Sequence, residues 1–141
     1  MLENLLKTTQ SLTEISVSNE RKEVLNPLID YIQNKVNSGE EIRLNFICTH
    51  NSRRSHLSQI WAQTMAFHFN IKNVFCYSGG TEATAMFPKV GETLVNQGFE
   101  IQKLIGNHDS VIKSVFLFFD FKFSKWFFSA KRNASKWNSI K

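Results

Sequence analysis

A chain of 141 residues with a formal net charge of +5 has room for one domain whose core needs no disulfide framework. Two cysteines, Cys48 and Cys76, exclude a disulfide scaffold and a zinc-ligand cluster and suit a reducing cytoplasm. Six basic and no acidic residues follow Asp120, which leaves 11 basic against 12 acidic in residues 1 to 120; the basicity belongs to the tail, no reader motif accompanies it, and no nucleic-acid partner is expected.

Taken from the N-terminus, residues 1 to 39 read as helical. Leu2, Leu5, Leu6 and Leu12 start the pattern weakly, and Leu25, Leu28, Ile29, Ile32 and Val36 form a clear apolar stripe. Pro27 is suited to a first helical position with Asn26 as its cap, which predicts a separate short helix over residues 20 to 25. Gly39 is the expected left-handed stop. The stripe predicts a helix that covers the sheet.

Ile42, Leu44, Phe46 and Cys48 then alternate with Arg43, Asn45 and Ile47, the period of a strand. After Arg54, apolar residues recur at Leu57, Ile60, Trp61, Met65 and Phe69 at helical spacing. Between the two patterns lies Cys48-Thr49-His50-Asn51-Ser52-Arg53-Arg54-Ser55. A strand-to-helix turn directs consecutive backbone N–H groups at one point and adds the positive end of a helix dipole, so an anion is its natural occupant. Arg54, in the first helical turn, offers a planar fork to two oxygens of a tetrahedral oxyanion. Cys48 lies beneath that point, and the features that bind the anion also lower the thiol's pKa and activate it as a nucleophile. Ser55 is placed to hydrogen-bond the thiolate. The loop contains no glycine, and Asn51 supplies the tolerance of positive φ that inward-turned amides require. His50 and His56 flank the loop without an acid partner visible in the sequence, and are expected as anion-facing or surface residues. Cys48, Arg54 and Ser55 are thus the candidate catalytic residues, and Thr49, His50, Asn51, Ser52 and Arg53 the candidate substrate-binding residues. No metal or cofactor is called for.

A second strand over residues 73 to 78, ended by Gly79-Gly80, fits a right-handed parallel crossover through the helix after the loop. Cys76, inside that strand, is expected as a packed thiol. Residues 81 to 87 read as a connection, and Pro88 opens a helix with Val90, Leu94 and Val95 on one face and Gly98 as its stop. Phe99, Ile101, Leu104 and Ile105 suggest a short extended segment, and residues 111 to 119 a buried third strand. Seven of the chain's 13 phenylalanines then fall between residues 116 and 128, in a stretch without periodicity; so much apolar surface favours self-association. The longest bulky apolar run, residues 115 to 119, is far short of the roughly 20 residues that cross a bilayer, and the start lacks the pattern of a signal peptide. A soluble cytoplasmic protein with no membrane partner is expected.

Cys48, Asn51, Arg54 and Ser55, placed directly after the first core strand, resemble the phosphate loop of the low-molecular-weight protein tyrosine phosphatase and arsenate reductase family. Tyr77-Ser78-Gly79-Gly80-Thr81-Glu82 and Phe87-Pro88-Lys89 look like that family's second strand and the connection into its second helix, and the resemblance covers about residues 42 to 105. It implies an α/β fold: a small parallel sheet flanked by helices in a three-layer sandwich. To this the chain adds a helical extension over residues 1 to 39 packed on a domain over residues 40 to 120, with a divergent basic aromatic tail over residues 121 to 141. It further implies a phosphomonoesterase with a phosphocysteine intermediate formed on Cys48, its equatorial oxygens held by Arg54 and the loop amides. A phosphorylated protein or small phosphoester is the implied substrate, or arsenate in a reductase that uses an external thiol; a loop that captures oxyanions without turnover is a third reading.

The resemblance stops at two places. Family members protonate the leaving group from an Asp-Pro loop near the C-terminus, whereas prolines here occur only at positions 27 and 88. Loss of a general acid costs roughly 10²–10⁴ in turnover. Arg53 stands where many members carry a second loop cysteine, so no protective disulfide forms there. The abrupt change of composition after about residue 105 is what truncation or a frameshift would leave.

Overall fold

A computed structural model describes residues 2–82, 85–103 and 112–114. The described residues form α1 (Glu3–Thr13), α2 (Asn19–Ser38), β1 (Ile42–Cys48), α3 (Arg54–His68), β2 (Val74–Gly80), α4 (Pro88–Asn96), β3 (Ile101–Lys103) and β4 (Ile112–Ser114). The fold is α/β: β1 and β2 pair in parallel, and β3 and β4 pair antiparallel as a second two-stranded sheet. None of these helices is long and apolar enough to cross a membrane.

The β1–α3–β2 crossover matches the sequence expectation, but β2 runs on through Gly79 and Gly80 instead of ending before them, and the register runs from Ile42 opposite Val74 to Cys48 opposite Gly80. Both strands therefore end level, and the segments that follow them leave the sheet side by side. The far edge of β2 is closed by side chains of α3. Gln63 Nε2 donates to the Val74 carbonyl at 3.0 Å and its Oε1 accepts from the Cys76 amide at 3.0 Å, while Gln59 Nε2 donates to the Cys76 carbonyl at 2.9 Å. A carboxamide carries the same donor and acceptor as a peptide unit, so the two glutamines stand in for a third strand. This changes the expected face of α3. Gln59 and Thr64 are buried beside Ile60, whereas Phe69, assigned to the apolar stripe, is 56% exposed.

The core gathers at the other side of α3. Leu5, Ile60, Val90, Leu94 and Phe99 pack together, with Trp61 meeting the Phe99 ring edge-on at 5.2 Å. Leu5, from the weakest part of the helical pattern, is fully buried. Its helix reaches the core because Gly98 lets the two backbones approach: Gly98 has φ +94°, and a Cβ there would lie 2.5 Å from Leu5 N and 2.7 Å from Asn4 C. Gly98→Ala is expected to cost about 2–5 kcal/mol, the sum of a strained positive φ and of overpacking against backbone that cannot yield. Urea unfolding checks this: a lower midpoint at unchanged slope is expected, and an unchanged midpoint would show that α1 is not seated there.

Two N-terminal expectations are corrected. Residues 20 to 25 are not a separate helix, and no new helix capped by Asn26 opens at Pro27; α2 starts after Ser18, whose hydroxyl accepts from the Arg21 amide at 3.3 Å, and runs through Pro27 to the left-handed Gly39. The hydroxyl cap satisfies an N-terminal donor ahead of Pro27, and the carbonyl that proline leaves without its helical donor lies on an exposed helix where water reaches it. Nor does α2 cover the sheet: it buries no residue, and Leu28, Ile29 and Val36 are 39%, 53% and 43% exposed. The core position falls to α1 instead.

At α4, Pro88 opens the helix and Val90 and Leu94 are buried as expected, but Val95 is 52% exposed because it falls off their face. Within the expected strand over residues 111 to 119, the structure describes β4, antiparallel to β3. The rest of that strand, Leu104 and Ile105, and the tail over residues 121 to 141 lie outside the described residues.

Candidate active site

β1 ends at Cys48, and after five intervening residues α3 begins at Arg54. Asn51 adopts φ +45°, as a glycine-free loop of this shape requires. The loop is held from outside by its carbonyls. Thr49 O accepts from the Glu82 amide at 2.9 Å and from Thr81 Oγ1 at 3.3 Å, and Ser52 O accepts from the Phe87 amide at 3.0 Å. Carbonyls tied outward leave the amides turned inward. Those of Ser55, Asn51 and Ser52 point at the Cys48 sulfur.

Beneath the loop, Ser55 Oγ lies 3.1 Å from Cys48 Sγ and 2.6 Å from Asn51 Oδ1, with Ser55 and Asn51 both buried. Ser55 has a single hydroxyl proton. With sulfur protonated, the thiol donates to Ser55 and Ser55 donates to Asn51; with sulfur ionised, the hydroxyl proton turns to the thiolate. This bond to Ser55, followed by the three amides, outweighs the opposing effect of burial and brings the Cys48 pKa down to about 7. Burial alone acts on Cys76 and pushes its thiol up to about 11.

Above the sulfur is an open cleft of about 360 Å³ lined by Cys48, His50, Ser52, Arg53, Arg54 and Phe87. The Arg53 guanidinium stands 5.4 Å from the centroid of the Phe87 ring, a cation–π contact that fixes one wall. Five of the eight residues expected from the sequence thus line the cleft. Asn51 and Ser55 support it from below, and Thr49 takes part through its carbonyl. The two histidines separate. His56 turns to β2, where its Nδ1 lies 3.2 Å from Ser78 Oγ and burial lowers its pKa. His50 stays at the rim, and the expectation that it lacks an acid partner is corrected: its Nε2 is 3.1 Å from Glu82 Oε2. The sequence places Phe87 only in a connection. Its position just before the helix-opening Pro88 was the available signal, because a residue preceding proline is held extended and projects away from the helix it introduces.

The arrangement can hold a tetrahedral oxyanion over an ionisable sulfur. Cys48 should therefore alkylate with a midpoint near pH 7, its rate rising above that pH as the thiolate forms and falling below it. Ser55→Ala should shift the midpoint up toward the ordinary thiol value of about 8.5, and Cys76 should stay unlabelled at pH 8. Peptide mass spectrometry after iodoacetamide pulses reads both sites; equal labelling of the two cysteines would refute the assignment. In comparisons with protein-family models, curated proteins and solved structures, none matched this chain.

Proposed function

We propose that the chain is a cysteine-dependent phosphomonoesterase of the low-molecular-weight protein tyrosine phosphatase type, acting on a phosphorylated protein or small aryl phosphoester. The observation that carries this reading is the Cys48 sulfur, with a pKa of about 7, at the floor of a cleft walled by Arg54 and ringed by inward-facing amides. In this mechanism the phosphoryl group docks with its equatorial oxygens on the loop amides and the Arg54 fork. Those donors are already oriented, so the charge that builds on the oxygens is stabilised without reorganisation. Cys48 Sγ attacks phosphorus in line with the leaving oxygen, the P–O bond breaks and a phosphocysteine forms; Ser55 and the amides that stabilise the thiolate also make it a competent leaving group when water releases phosphate. The accompanying architecture would be the family's three-layer sandwich, with β1–α3–β2 as its first crossover unit.

Arsenate fits the same cradle, because it mimics phosphate. Cys76 argues for ester hydrolysis over reduction through an internal thiol relay: it is 5% exposed and its thiol is held protonated by burial. The test is an activated aryl phosphate mixed with enzyme at comparable concentrations. A burst of one phenol per site, with a phosphoryl group on the Cys48 peptide after acid quench, is expected. Arsenite production with an added small thiol and no such burst would favour the reductase, and vanadate binding with neither activity would reduce the site to oxyanion capture.

A further inference from the structure

An ester with a poor leaving group needs a proton delivered to the bridging oxygen as the P–O bond breaks. Among the described residues, the rim of the cleft holds one group able to do this. His50 lies in the loop two positions after the nucleophile, lines the cleft with Cys48, Arg53 and Arg54, and is oriented by Glu82 at 3.1 Å from Nε2. Glu82 is itself fixed, since its backbone amide donates to Thr49 O, the carbonyl next to His50 in the same loop. Arg53 and Arg54 cannot serve, because guanidinium does not release its proton in the working pH range. We infer that His50 is the general acid of the reaction, with Glu82 as its positioning residue. The inference rests on the phosphoesterase reading above.

The step balances as follows. The Cys48 thiolate supplies the electron pair of the new S–P bond; the P–O pair passes to the bridging oxygen, which takes the proton of the His50 imidazolium and leaves as a neutral phenol or alcohol. Neutral imidazole then accepts a proton from the attacking water as the S–P bond breaks, so phosphate departs and both the thiolate and the imidazolium are restored. No co-reactant besides water enters. The imidazole and the sulfur line the same cleft, and with Nε2 facing Glu82 the proton passes from Nδ1.

The experiment compares kcat/KM for 2,4-dinitrophenyl phosphate, whose leaving group needs no proton, with that for phenyl phosphate, in the unaltered chain, His50→Gln and Glu82→Gln. His50 and Glu82 are 55% and 58% exposed in their side chains, so neither replacement threatens the core. His50→Gln is expected to lose about 10²–10³ on phenyl phosphate and tenfold or less on the dinitrophenyl ester. Glu82→Gln, which keeps a polar partner for the ring, should show a smaller loss in the same graded order. Equal losses on both esters in His50→Gln would overturn the assignment and leave the nucleophile untouched. A full graded loss in Glu82→Gln alone would transfer the acid role to Glu82. If the unaltered chain released no phenol from the dinitrophenyl ester, the phosphoesterase reading would itself fall, and this inference with it.

Discussion

Cys48→Ser is expected to eliminate the burst and lower turnover of an aryl phosphate by at least about 10³-fold, while phosphate or vanadate still binds. The two outcomes separate because the site divides its work. Attack requires a polarisable anion, and Cys48 supplies one near neutrality because Ser55 and three amides stabilise its charge. Serine in the same place remains a neutral hydroxyl: the donors that suffice to ionise a thiol cannot ionise an alcohol, so the nucleophile is lost. In the proposed reading oxyanion affinity comes from the loop amides and Arg54, which the substitution leaves in place. Stopped-flow release of phenol and a vanadate binding isotherm are the measurements. A burst that survived in Cys48→Ser would remove Cys48 from the chemistry. Loss of the isotherm together with the burst would mean that the sulfur is needed to shape the loop rather than to react.

Gly80→Ala is the second large effect, and it acts without touching any candidate catalytic side chain. A Cβ on Gly80 would lie 2.7 Å from Asn51 N, 2.9 Å from Asn51 Cβ and 2.9 Å from Thr49 O. Most of these are backbone atoms, so the clash cannot be relieved by turning a flexible side chain. Gly80 is held in the ladder opposite Cys48, leaving the loop between β1 and α3 as the part that must move. Asn51 carries the positive φ and one of the amides aimed at the sulfur, so the movement falls on the cradle itself. Displacement of a reacting constellation by about 1 Å costs on the order of 10²-fold in rate. We expect that loss in kcat/KM, a rise in the Cys48 alkylation midpoint from about pH 7 as its amide donors withdraw, and destabilisation of about 1–3 kcal/mol. Unchanged alkylation with reduced activity would contradict this explanation, because the loop would then have kept its shape.

What the amino-acid order determined by itself was local. The alternation from Ile42 to Cys48, the helix after Arg54, the positive φ at Asn51, the helix opened by Pro88 and the left-handed end at Gly39 each depend on neighbours within a few positions, through steric limits on φ and hydrogen bonds inside one turn. The same short range made residues 48 to 55 readable as an oxyanion loop with a nucleophile. Local rules also misled where packing decided: Pro27 pointed to a helix start that the Ser18 cap made unnecessary, and the stripe on α2 resembled a buried face that α1 occupies through Leu5 and Gly98. Only the tertiary structure set the register that ends β1 and β2 level. That register lays residues 81, 82 and 87 against the loop, pairs Glu82 with His50, stacks Arg53 on Phe87 and seals the far edge of β2 with Gln63. No periodicity encodes such partners, because ladder hydrogen bonds and helix packing join residues far apart in the chain and their strength depends on the whole arrangement being formed at once.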